Sequence, residues 1–593
     1  MENYTHWFYL ESYTFLFYSK NQYVIYNTLN STYIDEADRD ELKSIASDEK
    51  EIEERFYTNI SFGTAGMRGI RGVGTNRINK YMIRKATQGL ANYIIATTGE
   101  EGMKKGVAIA YDCRVGSTEY AMNTALVLAG NGIKAYLYES LRSTPELSFA
   151  VRELKCQAGV MVTASHNPQE YNGYKVYWDI GGQIVEPQAS GIVNEVNKVE
   201  KFEDIKMITE EEAKAQGLLV MIGKEIDDRF IEEVKKEAIL TDIPGKKDFK
   251  IVYSPLHGTG RRPVQRILKE MGFESVYTVK EQEEPDGMFP TCPYANPEDH
   301  KVFALSTKLA DEIGAKVCIA NDPDADRTGL ALKKENGEWF YPNGNQIGMI
   351  FMDYVLKMTK DLPKNGAVVS TIVSTPILDD IAKAYGVKVW RTLTGFKYIG
   401  EKIEQFKNKE LDGTYLFGFE ESIGYLKGTH VRDKDAVSAS LLLAEIAAYY
   451  DSIGTSMPAE LDKIYDRFGW YGEETISITK TGMDGAKQIA KIMEVLREKE
   501  IKEILGRKVL TLNDFKKQIE IDYENCNRKT IELPKADVLQ FILEGDVKVT
   551  VRPSGTEPKI KYYLYVKEDT KEKADASLKE FGENFVKFVD SLI

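Results

Sequence analysis

The feature that most restricts the fold of this chain is a pattern that recurs three times. An apolar, β-rich run is followed by an amphipathic helix, a second run, a second helix, and a strand that ends in a polar loop. In the first copy the predicted strands lie near 107–111, 134–138 and 159–163, with a helix near 118–129, and the last strand runs into TASHNP. The second copy has strands near 250–253, 275–279 and 316–320, helices near 262–271 and 301–313, and ends in NDPDADR. The third has strands near 367–373, 388–391 and 414–417, helices near 376–385 and 396–406, and ends in GFEES. Such alternation predicts three similar α/β units with mixed or parallel sheets, each delivering a polar loop at the carboxyl end of a strand, where open α/β sheets bind ligands.

At 593 residues the chain exceeds a single core and fits about four domains. The expected division is an N-terminal extension of unassigned role over 1–40, then units at 41–215, 216–335, 336–465 and 466–593. Beyond about residue 465 the pattern changes to a smaller α+β tail. Helices are expected near 486–497 and 536–543, strands near 547–551 and 560–566 joined by RPSGTEPK, and a long helix from Lys571.

The loops carry the chemistry. Asp322, Asp324 and Asp326 alternate directly after an apolar strand and would repel one another without a cation, and hard divalent ions take such oxygen ligands. A calcium EF-hand loop would need Gly and Glu where this chain has Arg327 and Lys333. Three carboxylates that leave positions for water or phosphate oxygen suit magnesium, and Arg327 beside them could hold a phosphate or a sugar hydroxyl. Ser165 follows a buried strand among turn formers, as a nucleophile, a phosphate carrier or only a turn residue. No GxSxG elbow is present, and His166, as the sequence neighbour of Ser165, is poorly placed to be its base. Lys175 is a candidate acid or base, or a solvated lysine. Glu420, Glu421, Ser422, His430, Arg432 and Lys434 crowd after the third unit's last strand, able to grip a sugar phosphate or to form surface ion pairs. Arg552, Ser554, Gly555 and Thr556 form either a phosphate nest or a plain hairpin turn, and Arg68 and Arg71 sit among glycines in a similar loop.

A net charge of −14 offers no basic stripe for nucleic acid and repels anionic membranes. Five scattered cysteines without a CxxC pair argue against a disulfide framework or thiolate zinc site and fit a reducing, cytoplasmic setting. The aromatic stretch 7–26 is interrupted by Glu11 and Lys20 and lacks the basic start and small-residue site of a secretory signal.

TASHNP with YNGYK, DPDADR, GFEES and RPSGTEP, in that order and one per unit, resemble the α-D-phosphohexomutases from about Ser31 to the C-terminus. FGTAGMRG, TGFKYIG, GFEESIGY and THVRDKDA are most similar to the branch of bacterial phosphoglucomutases and phosphopentomutase-like enzymes. The resemblance implies an intramolecular phosphotransferase. Ser165 would be the phosphoserine and would share magnesium with Asp322, Asp324 and Asp326, while Arg68, Lys175 and Arg327 line the reacting centre. Glu420 and Ser422 would bind sugar hydroxyls, with Arg552, Ser554, Gly555 and Thr556 on the distal phosphate. Thr394, Gly395, His430 and Lys434 match further substrate positions. The implied reaction exchanges glucose 1-phosphate and glucose 6-phosphate through glucose 1,6-bisphosphate, in a cytoplasmic monomer with no nucleic-acid or membrane partner. Pentose or mannose phosphate specificity, a metal-dependent phosphatase and a non-catalytic sugar-phosphate binder are the alternatives.

Overall fold

The structure, a computed structural model, describes residues 28–592 apart from 30, 32, 64, 65, 481 and 555–558. The aromatic stretch 7–26 therefore lies outside the described residues. Four sheets follow one another along the chain.

The first has the order Gly66–Ile70, Tyr171–Trp178, Ala158–Val162, Val107–Tyr111, Ala135–Tyr138, Leu219–Ile222. The strand Leu219–Ile222 pairs in parallel with Ala135–Tyr138, so this sheet runs past residue 215, where the sequence placed the end of the first unit. The second sheet has the order Trp339–Phe340, Thr328–Lys333, Val317–Asn321, Ile251–Ser254, Val276–Thr278. The third has Lys388–Thr392, Gly366–Thr371, Thr414–Glu420, Gly424–Lys427. Each of the three has a central parallel strand that is wholly buried: Val107–Tyr111, Val317–Asn321 and Gly366–Thr371. Strands covered by helices on both faces must be apolar throughout, which is why the sequence shows continuous runs there.

Each unit then does something the sequence pattern did not reveal. The last parallel strand turns back through a short polar loop into an antiparallel neighbour: Ala158–Val162 into Tyr171–Trp178, Val317–Asn321 into Thr328–Lys333, and Thr414–Glu420 into Gly424–Lys427. The three functional loops are the turns of these hairpins. Each contains one non-glycine residue in the left-handed region, Ser165 at φ 52°, Ala325 at 50° and Ile423 at 54°. That conformation costs roughly 1–2 kcal/mol per residue and persists only where surrounding contacts impose it.

One hydrophobic cluster runs through the first three units, joining Phe149, Phe230, Tyr253, Phe351, Phe417 and Leu441. The helix Ala436–Ser452 is buried almost throughout and is a core helix of this cluster. No single described helix is long and apolar enough to cross a membrane.

The fourth unit has its own core, which includes Leu496, Phe541, Val549, Leu564 and Phe585. Its sheet begins with Trp470–Thr479 and continues through Lys559–Glu568, Val547–Pro553, Leu539–Leu543, Arg507–Asp514, Ile519–Asp522 and Asn527–Thr530. The helix expected over 536–543 is instead the strand Leu539–Leu543, held between Val547–Pro553 and Arg507–Asp514. A short apolar run such as LQFIL has no period that separates strand from buried helix, and pairing on both edges decides it. This unit docks on the third through a small cluster of Ile372, Val373, Leu393, Phe515, Val538, Tyr563 and Tyr565. Polar bonds accompany it: Gln540 Nε2 donates to Ile372 O at 2.9 Å, Lys548 Nζ to Ser374 O at 3.1 Å, and Asn345 Nδ2 to Glu473 Oε2 at 2.8 Å.

Lys548 lies over the Tyr565 ring in this interface, and burial, reinforced by Arg391, lowers its pKa to about 7. A free chain holds that proton up to about 10.4. Below pH 7 the folded protein must therefore carry an unfavourable charge, and the penalty fades as pH rises from 7 toward 10. Lys548→Met is expected to raise the melting temperature relative to wild type at pH 6 and to bring much less gain at pH 9.5. An equal gain at both pH values would rule out a strained ammonium.

Candidate active site

The nucleophile candidate sits where the first and second units meet. Ser165 is 3% exposed, and its Oγ donates to Asp322 Oδ2 at 2.9 Å. His166 Nδ1 is 3.3 Å from the same Oγ, a long contact beside the Asp322 bond. Burial lowers the His166 pKa well below the usual histidine value, and Arg327, Arg68, Lys175 and Arg114 lower it further, so the imidazole is neutral.

The three aspartates come together as their spacing suggests. Their carboxylate oxygens lie within 4.8 Å of one another and all three residues are buried. Asp322 Oδ1 accepts from the backbone N–H of Asp326 and Arg327 at 3.1 and 3.0 Å, while Asp324 Oδ2 accepts from Thr144 Oγ1 at 2.9 Å and Lys175 Nζ at 2.8 Å. Burial and the neighbouring Asp324 and Asp326 raise the Asp322 pKa well above the carboxylate range. For Asp324, burial pushes upward, but Lys175 and the hydrogen bonds from it and Thr144 overcome that and leave the carboxyl depressed. Asp324 Oδ1 and Asp326 Oδ1 are buried and accept no hydrogen bond. Orphaned hard oxygens at this spacing fit a divalent metal ion, and Asp322, Asp324 and Asp326 are the residues that would hold it.

Cations from two units close the ring. Lys175, on the antiparallel strand of the first unit, also lies 3.6 Å from Asp326, and Lys434 from the third unit reaches Asp326 at 3.2 Å and Asp433 at 3.0 Å. Burial lowers the pKa of each lysine, and the facing aspartates more than reverse this, so both are held protonated. Arg327 Nε is 3.7 Å from Asp326 Oδ1.

Around this centre, Arg68 Nη1 donates to Asn167 Oδ1 at 3.1 Å, which places it on the Ser165 loop. Glu420 is buried and accepts from Gly395 N at 2.7 Å. Burial raises its pKa to about 7, with Lys434 opposing and Glu421 adding. Thr394 follows the strand Lys388–Thr392, and Ser422 lies in the turn between Glu420 and Gly424. His430 is turned elsewhere: Nε2 is 2.8 Å from Asp435 Oδ2 and Nδ1 3.8 Å from Glu237 Oε1. Arg432 is buried against Glu404. In the fourth unit Arg552 ends the strand Val547–Pro553 beside Tyr563, and Ser554 N donates to Lys559 O at 2.7 Å. Gly555 and Thr556 lie outside the described residues.

Some participants were missed from sequence. Tyr177 Oη and Gln183 Nε2 both donate to Asp433 Oδ2, at 2.7 and 2.9 Å, so the residue that holds Lys434 is itself held by the first unit. Asp112 and Arg114 follow the buried strand Val107–Tyr111 and grip the Ser165 loop. Their only sequence signal was a pair of opposite charges at the carboxyl end of a strand.

A buried hydroxyl, a carboxylate trio with vacant oxygens and protonated lysines can together carry metal-assisted phosphoryl transfer. Residues 59–203, 228–337 and 343–468 match the alpha/beta/alpha domains I, II and III of the phosphoglucomutase/phosphomannomutase family. The chain is 36% identical over 541 residues to a phosphoglucomutase of Staphylococcus epidermidis, covering 90% of this chain and 96% of that one. It is also 36% identical over 529 residues to a phosphoglucomutase of Staphylococcus aureus, covering 89% and 93%. The chain belongs to the phosphoglucomutase/phosphomannomutase family. Its fold is shared with the exocytosis-sensitive phosphoprotein parafusin (phosphoglucomutase) of Paramecium in an open form, at a TM-score of 0.65 and 17% identity over 90% of this chain and 96% of that one. A phosphoglucomutase/phosphomannomutase family protein of Burkholderia thailandensis gives 0.64 at 17% identity, covering 90% and 98%.

The carboxylate trio sets a direct expectation for metal. Magnesium should raise the melting temperature of the wild type, by about 2.7 kcal/mol of stability at 100 times its dissociation constant. Asp322→Asn keeps a side-chain oxygen able to accept from the backbone N–H groups of Asp326 and Arg327 but loses the charge, so it should show little or no magnesium shift. A shift equal to that of wild type would place the metal elsewhere.

Proposed function

We propose that this enzyme is a phosphoglucomutase, interconverting glucose 1-phosphate and glucose 6-phosphate through phosphorylated Ser165 and enzyme-bound glucose 1,6-bisphosphate. The observation that supports this most strongly is the 2.9 Å bond from Ser165 Oγ to Asp322, inside the aspartate trio and within reach of protonated lysines from two units. A phosphoryl group on Ser165 would lie against the same ring of charge. Magnesium, when bound, would supply Lewis-acid stabilisation of the transferring oxygens.

The chain's own residues account for the rest. The sugar hydroxyl attacks phosphorus in line, the bond from phosphorus to Ser165 Oγ breaks, and the net result moves the hydroxyl proton to Ser165 Oγ, which again donates to Asp322. Lys175 and Lys434 hold charge on the equatorial oxygens, and the bonds from the Asp324 and Asp326 carboxylates keep both ammonium groups aimed at the site. Glu420 accepts from a sugar hydroxyl, with Ser422, Thr394 and Gly395 alongside, while His430 is held by Asp435. Arg552, Ser554, Gly555 and Thr556 hold the phosphate that is not reacting. The bisphosphate then turns end for end and returns its other phosphate to Ser165. A last unit with a separate core and a small docking surface suits such a cycle, since it can open for the turnover and close against water. In this reading the protein works as a cytoplasmic monomer on a free sugar phosphate, with no nucleic-acid or membrane partner.

The test is a coupled assay for glucose 6-phosphate with magnesium and a trace of glucose 1,6-bisphosphate. Activity is expected with both present, to fall at least about 1,000-fold in Ser165→Ala, and to be higher on glucose 1-phosphate than on ribose 1-phosphate or mannose 1-phosphate. Preference for either of the latter sugars would reassign the substrate. Release of inorganic phosphate matching sugar consumption would make the protein a phosphatase.

A further inference from the structure

We infer that Asp112 and Arg114 form a clamp that holds Ser165 in its reactive conformation, and that Phe289 of the second unit completes it. The inference rests on Ser165 being the phosphoryl carrier. Arg114 is wholly buried, and its Nη donors are spent on one loop. Nη2 donates to Ser165 O and to Asn167 O, each at 2.5 Å, and Nη1 donates to Pro168 O at 2.8 Å and Tyr171 O at 3.1 Å. Nε lies 3.2 Å from Asp112 Oδ2. A guanidinium has five N–H donors: the four on Nη1 and Nη2 are taken up by the loop carbonyls, and the fifth, on Nε, is buried beside Asp112 without a hydrogen bond, away from any phosphate or sugar. Arg114 is therefore a positioning residue.

Asp112 grips the other side of the same residue. Its Oδ2 accepts from Thr163 Oγ1 at 2.6 Å, and Thr163 Oγ1 accepts from Ser165 N at 2.8 Å. Oδ1 accepts from Ser117 Oγ at 2.8 Å and from Arg114 N at 2.9 Å. The N–H and the C=O of Ser165 are thus both tied to one buried Asp-x-Arg pair. This explains why a serine stays at φ 52°, a conformation that side chains other than glycine and asparagine rarely adopt, with its Oγ turned to Asp322.

The outer face of the guanidinium is covered from the second unit. The Phe289 ring is centred 4.9 Å from it, and Gly287 packs so closely that a Cβ there would fall 2.6 Å from Cys113 O and 2.8 Å from Arg114 Cα. The loop that covers the clamp belongs to the unit that supplies the aspartates, so the nucleophile is ordered on the same surface that binds the metal.

The clamp touches neither sugar nor phosphate, so its loss should appear in kcat and not in KM. Arg114→Ala is expected to lower kcat about 100-fold, as for a misplaced reacting group, while KM for glucose 1-phosphate stays within about threefold. Arg114→Lys, with three donors on a flexible stem, should fall between, and Thr163→Val and Phe289→Leu should each lower kcat by about 10-fold. Amide exchange over residues 163–171 should speed up in every variant, a readout that needs no turnover. Variants with wild-type kcat and slow exchange, or a raised KM with kcat intact, would overturn the clamp. Should Arg114→Ala fail to fold, Arg114→Lys and Thr163→Val decide the matter. A wild type inactive on sugar phosphates would sink the mutase reading alone, while the exchange data would still judge the clamp.

Discussion

Three carboxylates within 4.8 Å of one another, all buried, are the constraint around which this molecule is arranged. In a low-dielectric interior such a group survives only if protons, cations or hydrogen-bond donors meet it. The chain brings Lys175 from the first unit, Lys434 from the third, and backbone N–H groups from the loop itself. Both lysines cross a boundary between units. The need to balance buried charge is thus also what holds the first three units in one register, and their shared apolar cluster is the packing counterpart of that electrostatic demand.

The hairpin loops show how the same device is used three times. A parallel strand delivers the loop, an antiparallel strand takes the chain away, and a left-handed residue sits at the turn. Backbone bonds then tie the loops of the second and third units to neighbouring units. Thr144 N donates to Asp324 O at 2.9 Å, Thr328 N to Ile423 O at 3.0 Å, and Ala436 N to Ala325 O at 3.2 Å. Precision at the centre arises from backbone held by backbone, which changes little with side-chain rotamers. The fourth unit stands outside this lattice, with its own core and contacts to the third unit through a small apolar cluster and a few polar bonds. It is the part best suited to move while the metal ring stays fixed.

Much of this was legible in the sequence because the relevant groups lie close together along the chain. NDPDADR, TASHNP and GFEES each follow an apolar run directly, so strand, loop and charge could be read as a unit, and the repeat put them on one side of the molecule. What could not be read was pairing over long separations. Asp433 looked like one more charge in a charged loop until Tyr177 and Gln183 were seen to hold it. Arg114 carries no local sign of its burial, yet it is one of the most buried arginines because carbonyls from a distant loop surround it. The run near Leu539 read as helix because nothing local distinguishes a two-sided strand from a buried helix turn. His430 was matched by position, and its bond to Asp435 is a tertiary fact that position alone does not carry.

The central claim is that the phosphorus bound to Ser165 is the one passed to the sugar. Single-turnover mixing of enzyme carrying labelled phosphate on Ser165 with unlabelled glucose 1-phosphate and magnesium tests it most directly. The account predicts that the label leaves Ser165 and appears in glucose 1,6-bisphosphate at least as fast as kcat. Label that stays on Ser165 through many turnovers, or leaves only as inorganic phosphate, would contradict it.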